Sequence, residues 1–389
     1  MRLARPLVSV LVAGTILTSC GGPASTPSAV PTSPASGDVT TYRGDAGRTG
    51  VMEGPGPTGS PGVAWQFQAG APIGSSPAVV GERAFLLSND GVVHALDLAT
   101  GTVIWAANLG ATTGSASPLV VAGLVVIGDS SGVVHALDTE SGAKRWSRQV
   151  DGPIDGAAAA VGNLVLTATE AGSVYALDAR TGAVTWQTTL AAGVTRSVTA
   201  SADTVFVGAE GTLYALRLSD GSILWKSPVA TSGSCGTPTV ADGLVFDSTG
   251  LDGSDPAAKG VVALDASTGA VRWRYASPTQ RQAYTPGVGD GRAFVVAEDG
   301  TVVALDAATG AVAWTTKTGA ENEALPALSD GLVYVPTNGH TLVTLDQATG
   351  ALGWQAPIVG VPYAPVVAHG LVLVGTSVGV LYAIGGSTK

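Results

Sequence analysis

Asp252 and Asp255 flank Gly253 in the run DSTGLDGSDPAAKG (247–260) and offer oxygen donors at the short spacing of a calcium loop. The run lacks the DxDxDG order and the closing Glu, so a solvated loop is the simpler reading. Residues 41–50, TYRGDAGRTG, contain an RGD triplet of the adhesive kind inside a glycine-rich run. A triplet recurs by chance, and the Lys and spacing of a phosphate loop are missing. Aspartates return in ALDLATG, ALDTESG, ALDARTG, ALDASTG and ALDAATG, where so many carboxylates suggest metal or acid–base work. Set at one position of a repeating unit, they are spread around a ring and do not converge on one substrate. An Asp accepting from the following N–H groups, with a Gly at positive φ, makes a hairpin turn. His94, His135, His340 and His369 fall in separate repeats, so no histidine metal cluster is expected.

The rest of the chain says where such groups could be held. It has 389 residues, a net charge of −10, 54 Gly and 22 Pro, with 12% charged residues. Many short strands joined by tight turns follow from that mixture. The negative charge repels nucleic acid, which is excluded as a partner. Residues 1–20 read as an export signal: Arg2 and Arg5, an apolar stretch from Pro6 to Leu17 too short to span a bilayer, then Leu-Thr-Ser-Cys. That ending resembles the bacterial lipobox, which implies cleavage before Cys20 and a lipid anchor on its thiol. Residues 21–40, rich in Pro, Ser and Thr, suit a flexible tether. With Cys20 lipidated, Cys235 is the one remaining thiol and no intramolecular disulfide is available.

From residue 65 onward Trp recurs at 65, 105, 146, 186, 225, 273, 314 and 354, a period near 40 except for the 48-residue step across blade five. Each unit contains four strand-like runs, in the first case 76–80, 83–88, 92–97 and 102–108, with Gly-containing turns between them. Four strands per period of that length make a propeller blade. Trp falls on the outermost strand, where it seals the gap to the next blade. The last unit, APVVAHGLVLVGTSVGVLYAIGG, has three strands, while GVAWQFQAG (62–70) is an outer strand with no inner strands before it. The N-terminal strand therefore completes the last blade and removes the open sheet edges. The expected fold class is all-β: one eight-bladed propeller over residues 41–386, with a leader at 41–61.

The ALDxxTGxxxW units and the closing strand together resemble the PQQ-type eight-bladed propellers over residues 40–385. The resemblance implies one of two kinds of protein: quinoprotein alcohol and glucose dehydrogenases with pyrroloquinoline quinone (PQQ) and Ca²⁺, or non-catalytic lipoproteins of outer-membrane assembly, the BamB type. TYRGDAGRTGVMEGPGP resembles the leader of both, which makes the opening motif architecture: Arg43 and Arg48 bond backbone carbonyls and Tyr42 packs on a blade. In such a ring the loops from outer to next inner strand and from second to third strand share one face, the channel mouth. The non-repeating residues there are Ser75, Ser115, Asp155, Arg196, Cys235, Tyr284, Glu323 and Tyr363, with Arg281, Gln282, Glu321 and Asn322 close by, and the 247–260 loop with Asp252 and Asp255 projects over the same face.

A dehydrogenase would need a carboxylate base, calcium ligands and a cradle for the quinone acids, for which Glu321, Asn322, Glu323 and Arg281 are the candidates. Against it, catalytic members are usually longer, and many of the alcohol dehydrogenases carry two adjacent Cys. The loops here are short and exclude little water. The expectation is a lipid-anchored monomer in the cell envelope that binds protein partners through its mouth, without a catalytic residue, metal or cofactor. The alternatives are a PQQ- and calcium-dependent alcohol or sugar dehydrogenase and an envelope ligand sensor.

Overall fold

A computed structural model describes residues 37–111, 116–194, 196–229, 236–249, 259–279, 283–322 and 324–386. The chain divides into two units, 1–33 and 34–389, and everything described belongs to the second. Its strands are numbered β1 to β32 in chain order. They form eight four-stranded antiparallel sheets. The first blade is β2 (Ala78–Val80), β3 (Arg83–Leu87), β4 (Val92–Asp97) and β5 (Val103–Asn108), within two residues of the expected bounds. The eighth pairs β1 (Pro61–Gln68) with β32 (Val380–Gly386), then β31 (Leu371–Gly375) and β30 (Val366–Ala368). The N-terminal strand thus closes the ring.

Burial explains the pattern of each blade. In β3 almost every side chain is buried, because neighbouring blades cover both faces of the sheet, whereas β5 alternates exposed and half-buried residues at the rim. The turn after β4 is held by Asp97 Oδ1, which accepts from Thr100 N (2.9 Å) and Thr100 Oγ1 (2.7 Å). This turn also receives the preceding blade. Trp65 Nε1 donates to Leu98 O at 2.9 Å, and a Cβ on Gly101 would fall 2.4 Å from the indole ring. The same contact joins Trp105 to Thr139 O, Trp146 to Ala179 O, Trp186 to Leu218 O, Trp225 to Ala266 O, Trp273 to Ala307 O and Trp314 to Gln347 O. Trp354 is the exception. The eighth blade changes from β32 to β1 where the turn would stand, and Trp354 Nε1 is buried without a partner. The seam is held instead by apolar packing that runs from Trp65, Leu86 and Leu96 to Tyr334, Val372 and Leu381.

The leader crosses the innermost strands of every blade. Val39 exchanges both backbone bonds with Val79 at 2.8 Å, and Thr40 O accepts from Val120 N. Thr41 Oγ1 donates to Ala158 O. Ala46, Gly47, Thr49 and Gly50 carbonyls then accept from Ala200, Val240, Val288 and Leu328 N–H groups, and Pro55 O accepts from Gly370 N. Arg48 is fully buried: Nε donates to Val198 O, Nη1 to Thr41 Oγ1 and Tyr42 O, and Nη2 to Ala157 O and Ala158 O. Arg43 reaches Thr239 Oγ1 and Pro286 O. The expectation of carbonyl-bonding arginines holds for both, and the Tyr42 ring lies 5.5 Å from the Arg48 guanidinium. Desolvation, partly offset by Tyr42 and Asp45, draws the Arg48 pKa down to about 10, still cationic at neutral pH.

Two outcomes follow. Arg48→Met strips five donors from buried carbonyl and hydroxyl acceptors and should lower urea stability by at least about 3 kcal/mol, whereas exposed Arg196→Ala should change it by less than about 0.5 kcal/mol. His94, on β4 at the closing seam, stacks edge-on against Phe67 at 5.0 Å with both ring nitrogens buried and unpartnered. Burial pulls its pKa below 6.5, and the Asp90 carboxylate only partly restores it. Below that pH the unfolded chain takes up a proton that the folded chain resists, so stability falls as pH drops through the unfolded value. His94→Leu should flatten the melting temperature between pH 7 and pH 5; an unchanged slope would remove His94 from the account.

Candidate functional site

The two ends of the ring differ. Asp38 Oδ1 accepts from Gly81 N at 2.8 Å and meets His369 Nε2 at 3.2 Å, while Asp330 Oδ2 accepts from Gly56 N at 2.6 Å. Gly81, Asp330 and His369 all lie in turns that follow innermost strands, so the leader occupies that end of the channel. The opposite end is the mouth. The RGD triplet is accordingly unavailable as a ligand: Arg43 is 2% exposed, and both Asp45 carboxylate oxygens accept from Thr49.

At the mouth, hydroxyls at one repeated position, Ser76, Ser117 and Thr237 before a Pro and Ser197 before Val198, bond from one blade to the next. Ser117 Oγ accepts from Ser76 N at 3.0 Å, Ser197 Oγ from Ala157 N at 2.9 Å, and Thr237 Oγ1 from Ser197 N at 3.3 Å. Ser76 Oγ donates to Ala364 O across the seam. Ser75 is likewise structural, donating to Leu87 O at 2.9 Å.

The residues singled out from sequence fall into three groups. Arg196 and Glu321 are exposed, while Asp155, Tyr284 and Tyr363 are half-buried. The backbones of Tyr284 and Tyr363 donate to Val296 O and Gly375 O, which holds their loops against the second strands of their blades. Asn322 is wholly buried: its amide nitrogen donates to Pro336 O and its amide oxygen accepts from Ala324 N at 2.7 Å. Ser115, Cys235, Asp252, Asp255, Arg281, Gln282 and Glu323 lie outside the described residues. In the described part of the Glu321–Asn322–Glu323 run, then, Glu321 is exposed and the Asn322 amide is occupied by the Pro336 carbonyl and the Ala324 N–H. Among the described residues no three His, Cys, Asp or Glu side chains gather as a metal site.

Two buried carboxylates on the mouth side escaped the sequence reading. Asp247 Oδ1 accepts from Gly236 N and Ser248 N, both at 2.8 Å. Asp129 pairs with His135 Nε2 at 2.7 Å, both nearly inaccessible. Burial pushes the Asp129 carboxyl up, but bonds from His135, Val133 and Ser131 outweigh it and leave the pKa below the ordinary range. The signal was the His of the repeated VVHALD, six residues after Ser88 in one blade and six after Asp129 in the next.

A family model described as outer membrane protein assembly factor BamB matches residues 56–169, 170–283 and 257–388. No curated protein matches the chain by sequence. Among solved structures, BamB from Moraxella catarrhalis superposes with a TM-score of 0.69 at 21% identity, covering 84% of this chain and 99% of that one. A quinohemoprotein alcohol dehydrogenase from Pseudomonas putida HK5 gives 0.71 at 14% identity, covering 91% and 81%. The computationally designed Ika8 protein gives 0.73 at 17%, covering 83% and 99%. At such identities the likeness to each structure concerns the fold. With the matched segments extending over most of the propeller, the chain belongs to the PQQ-like eight-bladed propeller family whose model carries the BamB description.

Proposed function

We propose that this protein is an exported, lipid-anchored envelope scaffold that binds protein partners through the mouth of its propeller without catalysis of its own. The observation that carries the reading is Asn322, whose amide nitrogen donates to Pro336 O of the blade's second strand and whose amide oxygen accepts from Ala324 N, so that the described part of the acid–amide run serves loop architecture. Family membership supports it as well. In this reading Cys20 carries the lipid, residues 21–40 are the tether, and outer-membrane protein assembly is a candidate process in a host that has an outer membrane. The mouth offers Arg196, Glu321, Asp155, Tyr284 and Tyr363, together with Cys235, Arg281, Glu323, Asp252 and Asp255, which the sequence assigns to the same face. A rigid ring with side chains of mixed charge and two tyrosines presents a pre-organised surface, which lowers the ordering cost of association.

The likeness in fold to quinoprotein dehydrogenases makes the enzyme the second reading. Calorimetric titration of the mature chain with PQQ, with and without Ca²⁺, should give no binding heat. Tight, calcium-dependent binding would establish the enzyme instead. In parallel, Cys20→Ser should move the protein from the membrane pellet to the soluble fraction; retention in membranes would disprove the anchor.

A further inference from the structure

Six of the described turns between the second and third strands of a blade share one form, in which the N–H of the fourth residue donates to the carbonyl of the first. They span 88–91, 129–132, 169–172, 297–300, 337–340 and 376–379, with N···O distances from 2.9 to 3.1 Å. In five of them the fourth residue is Gly at positive φ; in blade seven it is His340, at φ of +59°. The glycine of that turn stands one place earlier, so that Asn338 is followed directly by Gly339. This is the one Asn-Gly pair in the chain. Blade one supplies its control, because Asn89 holds the place of Asn338 and is followed by Asp90.

Asn338 is half-buried and Gly339 exposed, at the tip of the turn between β27 (Leu332–Thr337) and β28 (Thr341–Asp346) on the mouth side. The residues around the pair are fixed. Asn338 N donates to Glu321 O at 2.8 Å, Ile358 N donates to His340 O, and His340 Nδ1 bonds Gly360 O at 2.8 Å. The reacting groups are not: neither the Asn338 side-chain amide nor Gly339 N has a hydrogen-bond partner among the described residues. Rotation between the two residues is resisted by the turn bond from His340 N to Thr337 O at 3.1 Å and by a bond from Thr341 Oγ1 to Gly339 O at 3.2 Å. Elsewhere Asn108 Oδ1 accepts from Gly110 N, Asn163 Nδ2 donates to Asp178, and Asn322 is buried.

Asparagine is a chemically labile residue, because the next backbone nitrogen can attack its side-chain carbonyl carbon. Without a Cβ, glycine lets that nitrogen approach and lets the backbone take the conformation that ring closure requires. Attack by Gly339 N on Asn338 Cγ forms the new N–Cγ bond of a cyclic imide. The Cγ–Nδ2 bond breaks, and Nδ2 leaves as ammonia with the proton that Gly339 N gives up. Water then adds to either ring carbonyl, and opening yields aspartate or isoaspartate, the latter with an extra methylene in the main chain. Neither step needs an oxidant or a reductant. In blade one the Cβ of Asp90 crowds the same approach, and its carboxylate is held by Ser88 Oγ at 2.6 Å.

We infer that Asn338 is a modification site that the chain converts by itself, through an imide with Gly339, to a mixture of aspartate and isoaspartate. Each conversion adds one negative charge to the mouth close to Glu321, and isoaspartate lengthens a turn that has only two residues between its bonded ends. The site stands whatever binds at the mouth, since the reaction needs only this chain and water.

The test incubates the folded, full-length protein in mildly alkaline buffer made with oxygen-18 water, which labels each ring opened during the incubation. Mass spectrometry follows the asparagine-containing peptides, and an isoaspartyl methyltransferase serves as the probe for isoaspartate. Asn338 should convert at least about tenfold faster than Asn89 and give both products. The variant D90G builds an Asn-Gly pair into blade one and should speed Asn89 about tenfold. Gly339 itself is left in place, because a Cβ there would fall 2.8 Å from Ala320 Cβ. Equal rates at Asn338 and Asn89 overturn the proposal, as does aspartate at 338 without isoaspartate, which would mark direct hydrolysis of the amide. An Asn89 rate unmoved by D90G overturns it too, since the residue after the asparagine would then not control ring closure.

Discussion

Each blade holds the next through one contact, an indole ring laid on the glycine of the following blade's hairpin. The turn geometry and the contact depend on each other. Asp97 draws Thr100 in and sets the hairpin, Gly101 adopts φ of +71°, and its missing Cβ leaves the space Trp65 fills. The indole N–H then satisfies a carbonyl that the turn leaves pointing outward. A repeat of Asp, Gly and Trp therefore specifies the interface between blades as well as the blade.

That contact cannot be made everywhere on a ring built from an open chain. Where the two termini meet, no hairpin stands before Trp354, and its N–H is left buried without a partner. The Tyr334 hydroxyl nearby is in the same condition, and burial, with the Asp330 carboxylate adding to it, lifts its pKa to about 12. The fold offsets the gap with the eight-residue closing strand, the apolar cluster that spans the seam, and a leader that bonds to every blade in turn. Because the leader fills one end, an eightfold scaffold acquires two unlike faces.

The blades were legible in the sequence because strand-like runs and tight turns recur at a nearly constant period, and the place of the leader arginines because their run resembles the leader of the PQQ-type propellers. The hydroxyl bonds between blades were not legible. Ser76 and Ser117 are 41 residues apart, and only the curvature of the ring brings one to the other's amide. Asn322 looked like a ligand because residue type reports the donors a side chain has, whereas its turn decides where they are used. Asp129 and His135 show the same limit, since each alone reads as an ordinary turn or strand residue.

By itself the sequence determined the number of blades, their strands, the closing strand and the structural place of the tryptophans, since all of these follow from local periodicity and from counting. The tertiary structure decided which polar groups remain free. It buried Arg43 inside an apparent adhesion motif and committed Asn322 to the Pro336 carbonyl and the Ala324 N–H. Periodicity is a property of neighbours along the chain, but availability for binding depends on neighbours in space, which only closure of the ring supplies.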